Sequence, residues 1–120
     1  MMDKETLCSS VHGLDPGIRF VGLINEKGHL VAGGMAQGKQ PLEDSKKDEM
    51  LYLELALRVR MRQEFDAELG CVKFAMSYRD KVIVMSFPMG KEILLVSGEK
   101  NLDFGKFPFS VLKIIEQYQK

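Results

Sequence analysis

One stretch constrains this chain more than any other. From Ser45 to Leu69 it reads SKKDEMLYLELALRVRMRQEFDAEL. Leu, Met, Ala, Glu, Arg and Lys dominate it, and all are good helix formers. Ser45 with Asp48 three positions on gives a helix start signal, and Pro41 marks a possible earlier first turn. Glu43 and Asp44 lie where the helix dipole favours negative charge, and Gly70 is a natural stop. At ~100° per residue, Met50, Leu53, Leu57, Met61 and Phe65 gather on one side. Tyr52, Leu55, Ala56 and Val59 gather on roughly the opposite side, with a charged ridge of Glu54, Arg58 and Arg62 between them. A helix on the surface of a monomer needs one apolar stripe. Two opposed stripes mean that the helix is covered from both sides. A second copy of the chain is the most economical second cover, and a loop or the N-terminus is the alternative.

The rest of the chain supplies what those stripes touch. Asp3 to Val11 reads as a short helix with Leu7 and Val11 on one side. Ile18 to Asn25 and His29 to Met35 form a hairpin about the turn Glu26-Lys27-Gly28. After Gly70 come three strands: Cys71 to Arg79, Val82 to Phe87 and Glu92 to Ser97. They are separated by Asp80-Lys81 and by Pro88-Met89-Gly90-Lys91. FVGLI, VIVMSF and ILLVS are apolar on both parities, so they belong to a sheet covered on both faces. Pro108 opens a last helix with Val111, Ile114, Ile115 and Tyr118 facing inward, and Phe104, Phe107 and Phe109 cluster at its start. The expected fold is α+β, in the order α-β-β-α-β-β-β-α. A five-stranded antiparallel sheet carries the long helix on one face and the terminal helices on the other.

The 120 residues suit a single domain, 1–120, with a sizeable core. Lys plus Arg and Asp plus Glu number 17 each, which argues against a generic nucleic-acid or anionic-membrane binder. No stretch of ~18 apolar residues and no secretory leader is visible, so a cytoplasmic location is expected. Cys8 and Cys71 make neither a disulfide framework nor a zinc set, and Cys71 reads as a small core residue at a strand start. No catalytic residue, cofactor site or metal site is indicated. His12 and His29 have no partners at ligand spacing, and His29 suits a solvated strand start. Ser86 and Ser97 lack a nucleophile-elbow context. The segment GGMAQGK departs from a phosphate loop because Gln40 follows Lys39.

The hairpin FVGLINEKGHLVAGGM and the run RDKVIVMSFPMGKEILLVSGEKNLDFGKF resemble the Roadblock / dynein light-chain superfamily, whose fold is close to the profilin-like and longin folds. INEKGHLVAGGM, KKDEMLYLELALRVRMR and KFAMSYRDKVIVMSFP resemble more closely a small archaeal (thaumarchaeal) family of uncharacterised domains. The Roadblock resemblance implies dimerisation through the middle helix and an edge strand, with one sheet running across two chains. It also implies a scaffold role, with small GTPases or motor complexes as partners. The expected function is therefore a non-enzymatic homodimeric protein-interaction module. Its interface is expected to hold Tyr52, Leu55, Ala56 and Val59 on the helix, with Phe74, Met76 and Tyr78 on the edge strand; the stripe of Met50, Leu53, Leu57, Met61 and Phe65 is assigned to the core. A small-molecule sensor with a pocket between sheet and helix is the alternative, for which the methionines and glycines would suit the pocket.

Overall fold

The structure, a computed structural model, describes residues 2–119. Helix α1 (Lys4–His12) is capped by the Asp3 carboxylate, which accepts from the Thr6 N–H at 2.7 Å. Strands β1 (Ile18–Ile24) and β2 (Leu30–Met35) form the expected hairpin. Gly28 in its turn has φ +82°, and a side chain there would meet the backbone of Leu53.

Helix α2 (Ser45–Arg62) starts on Asp44, not Ser45. The Asp44 carboxylate accepts from the Lys47 N–H at 2.9 Å, and Ser45 is the first helical residue. The helical path continues through a 3-10 turn at Gln63–Phe65 into the single turn α3 (Asp66–Leu69), and Gly70 ends it with φ +84°. Nothing in the sequence marks the break after Arg62.

Strand β3 is shorter than expected, Ala75–Tyr78, and Cys71 lies exposed ahead of it instead of opening it as a core residue. Strands β4 (Ile83–Met89), with Pro88 and Met89 inside it, and β5 (Glu92–Gly98) follow, then α4 (Phe107–Gln119).

All pairings in the sheet are antiparallel, in the order β2-β1-β5-β4-β3. The period-2 alternation of the strands divides the core. Val21, Leu23, Ile83, Met85, Phe87, Leu94 and Val96 face α1 and α4, meeting Leu7, Val11, Val111 and Ile115. Ile24, Ile93 and Leu95 face α2, and Phe20 and Val84 pack beside them.

On α2, the residues that meet this second face are Tyr52, Leu55, Ala56 and Val59. The two stripes are thus the reverse of the expectation. The stripe assigned to a partner is buried in the chain's own core. The stripe assigned to the core points outward: Met50 is 69% exposed, Met61 70%, and Leu53, Leu57 and Phe65 about half. The small side chain of Ala56 lets the helix sit close to the sheet, and Tyr52 stacks on Phe20 with ring centroids 6.1 Å apart. Burying Leu55 and Val59 stabilises the fold by about 1.5–3 kcal/mol each.

Candidate functional site

The two edges of the sheet are finished differently. On β2, the Gly33 N–H donates to Glu5 Oε1 at 3.2 Å, and His12 Nε2 hydrogen-bonds to the Gly34 carbonyl oxygen at 3.1 Å. Both side chains come from α1, so this edge is covered. Gly33 has φ +86°, and a Cβ there would run into the Val21 carbonyl oxygen.

Among the described residues, strand β3 pairs only with β4, and no strand lies beyond it. The Asp80-Lys81 turn is closed by the Arg79 N–H donating to the Val82 carbonyl at 3.0 Å. Antiparallel alternation then directs the backbone groups of Ser77 and Ala75 toward β4, and those of Met76 and Tyr78 toward the open edge. Met76 is 40% exposed and Tyr78 60%.

Phe74, expected with these two at an interface, is half-buried before the strand. It packs edge-on to Phe109 at 5.6 Å and against Phe87 at 5.8 Å. Tyr78 meets Phe104 at 5.7 Å and carries the Lys100 ammonium 3.9 Å from its ring centroid. The aromatic cluster at the start of α4 therefore braces β3 from behind.

Between α2 and β3 runs a groove of about 140 Å³, lined among others by Leu51, Glu54, Arg58, Arg62 and Ser77. Arg58 pairs with Glu54 at 3.7 Å along the helix. Arg62 buries Nη1 without an acceptor among the described residues. An unpaired buried donor is destabilising by about 1–3 kcal/mol, more for a charged group. The outward apolar stripe of α2 adjoins this groove.

A second concavity, about 60 Å³, lies between the sheet and the start of α2. Glu43, Asp48 and Tyr52 reach it from one stretch, while Arg19, Val84 and Ser97 come from strands far away in sequence, so spacing alone gave no signal for it. Arg19 is already engaged, donating to Glu99 Oε1 at 3.2 Å and to the Gln40 carbonyl at 2.6 Å. The hydrogen bond between the Glu43 and Asp48 side chains holds the Glu43 carboxyl above its usual range, with burial and the Asp48 charge adding to the effect. Burial, then the same two carboxylates, pushes the Tyr52 phenol up to about 12.

Cys8 is buried in the larger core, and burial first, then Glu5, pushes its thiol up to about 11. His29 is exposed, as expected. Among the described residues, no three His, Cys, Asp or Glu side chains gather as a metal site, and no helix is long and apolar enough to cross a membrane.

These features can be set beside known proteins. Residues 1–120 match the model of a family described as "Family of unknown function (DUF6659)". The chain belongs to that family. No curated protein matches it in sequence.

Among solved structures, this DUF6659 chain is similar to a Roadblock/LC7 domain from Streptomyces avermitilis, with TM-score 0.72 and 11% identity over 98% of this chain and 95% of the other. It is similar to Myxococcus xanthus MglB at TM-score 0.72 and 15% identity, covering 95% and 89% of the two chains. An MglB described with a tetrameric arrangement aligns at TM-score 0.65 and 18% identity, covering 92% and 86%. At these identities the likeness establishes the Roadblock/LC7 fold and nothing further.

Proposed function

We propose that the DUF6659 chain is a non-enzymatic protein-interaction module that works as a homodimer, joined through the open edge of β3 and the outward stripe of α2. The observation that carries this reading is the juxtaposition of the two. An unpaired strand edge adjoins a helix that exposes Met50, Leu53, Leu57, Met61 and Phe65. Strand edges and contiguous apolar patches are features that monomeric proteins avoid or cover. The buried, unsatisfied Arg62 nitrogen in the intervening groove supports the same face, because a second copy can bring an acceptor to it. The expected residues Met76 and Tyr78 stay in this interface. Tyr52, Leu55, Ala56 and Val59 are replaced by the outward stripe, and Phe74 acts from behind β3. The Roadblock-fold MglB with a tetrameric arrangement is a precedent for self-association on this scaffold.

The test is solution mass by light scattering. The unaltered chain is expected at twice its 13.6 kDa, persisting on dilution. Leu57→Asp with Met61→Asp is expected to give a folded monomer, since both side chains are exposed. A monomeric unaltered chain at tens of micromolar would overturn the reading. The partner class implied by the Roadblock resemblance is a small GTPase. Co-elution with candidate GTPases loaded with GTP or GDP tests it, and binding indifferent to the nucleotide would remove that role.

A further inference from the structure

An alignment of two β3 strands presupposes the homodimer, and the strand itself then selects one. Two identical chains that close on each other are related by a two-fold axis. The outward stripe of α2 and the edge of β3 meet a second copy together only if both α2 helices lie on one face of the joined sheet. The axis then runs perpendicular to the sheet, and the two β3 strands pair antiparallel. Antiparallel pairing sets a residue with outward backbone groups opposite another of the same kind. In β3 these are Met76 and Tyr78, because the backbone groups of Ala75 and Ser77 turn toward β4. The axis therefore lies level with Met76, Ser77 or Tyr78.

An axis at Met76 sets Tyr78 opposite the partner's Phe74. Phe74 lies before the strand and packs against Phe87 and Phe109. An axis at Tyr78 sets Met76 opposite the partner's Asp80, in the turn that the Arg79 N–H closes. An axis at Ser77 sets Met76 opposite the partner's Tyr78, so both outward residues of the four-residue strand find a mate within the ladder. The side chains agree with this choice. Ala75 and Ser77 line the groove beside α2, so small groups occupy the helix side of the seam, where the outward stripes need room. Tyr78 meets Phe104 on the other face, and alternation puts Met76 on that face too. There a half-exposed thioether would cover a half-exposed ring, a favourable contact.

We infer that the two chains join with Ser77 on the two-fold axis, and that each Met76 packs on the partner's Tyr78. The aromatic cluster around Tyr78, with Phe104 on one side and the Lys100 ammonium over the ring, is completed by a side chain from the second copy.

The experiment is disulfide cross-linking of the full chain carrying Cys71→Ser, which removes the exposed thiol and leaves only the buried Cys8. Opposed Ser77 residues make a non-hydrogen-bonded pair with Cα atoms ~4.5 Å apart, within the span of a disulfide. Ser77→Cys is expected to link nearly completely under mild oxidation, and reduction should reverse it. Met76→Cys alone and Tyr78→Cys alone lie diagonally from their own copies at ~7–8 Å, and should link at least about tenfold more slowly. Mixed Met76→Cys and Tyr78→Cys chains should link to each other, which reads the same register with Ser77 intact. Light scattering on the reduced chains checks that each is still a dimer. A dimer in which Met76→Cys or Tyr78→Cys alone links faster than Ser77→Cys would overturn the register and leave the homodimer standing. So would a dimer in which neither Ser77→Cys nor the mixed pair links. A monomeric unaltered chain would remove the homodimer, and the register with it.

Discussion

Strands β2 and β3 are the two borders of one sheet, yet only one of them is closed. At β2 the borders of the ladder are occupied by Glu5 and His12, and Gly33 bends the backbone where a side chain would not fit. At β3 a four-residue strand ends the sheet with the backbone groups of Met76 and Tyr78 facing outward. An open edge is therefore a local choice here and not a general property of the fold. The same chain carries the means to close an edge and applies it on one side only.

Substitutions at either border test this difference. The largest effect is expected from Gly33→Val. A left-handed φ and the overlap with the Val21 carbonyl should cost about 3 kcal/mol or more. Thermal unfolding reads this as a fall of roughly 10 °C or more. A fall under a few degrees would mean that β2 can straighten.

Next is Met76→Pro. Its N–H faces the open edge, so the bond pattern to β4 survives and the dimer should not. Light scattering should show half the mass, with a far-ultraviolet spectrum close to that of the unaltered chain. A dimer that persists would place the contact elsewhere.

Removing the cover is a gentler change. Glu5→Ala and His12→Ala each delete one bond to β2 and should cost about 1 kcal/mol by denaturant titration. The double variant should also form higher oligomers, because a second border is then free.

The smallest effect concerns the connector that leads from β2 to α2. Glu43 has its carboxyl raised by its bond to Asp48. A raised carboxyl stabilises the folded chain fully below its unfolded pKa, and that contribution is lost as pH rises through the folded value. Hydrogen exchange over residues 36–48, corrected for the intrinsic rate, should therefore slow in mild acid. Glu43→Gln should abolish the pH dependence.

Much of the fold was legible in the sequence because strands write their burial in alternation. VIVMSF, apolar on both parities, spoke for a strand covered on both faces, and the structure puts Ile83, Met85 and Phe87 on one face and Val84 on the other. Helix α2 was legible as two-faced but not as to which face was which. Periodicity fixes the angle between stripes and is silent about direction. Met and Leu on one stripe resemble core residues as much as Tyr52 and Ala56 do on the other, and contact with the sheet decides.

Strand β3 was overextended for a related reason. Val72 and Phe74 continue the alternation, but the chain joins the ladder only at Ala75, and pairing is not written in pattern. The cap shifted by one residue because Asp44 and Ser45 are both good N-caps, and only the bond to Lys47 distinguishes them. The cavity was invisible because Arg19, Asp48, Val84 and Ser97 meet only after folding.

The strand order has a consequence for how the chain reaches this state. The hairpin β1–β2 and the meander β3–β4–β5 are joined by one pairing, Ile18–Ile24 against Ile93–Gly98. Until residue 98 has been synthesised, the two halves of the sheet have nothing in common. The seat of α2 is divided in the same way, with Ile24 from one half and Ile93 and Leu95 from the other. A helix finished early in synthesis therefore waits, both stripes wet, for a strand made late. Closing a loop of about 70 residues is the slow event that such a topology imposes on folding.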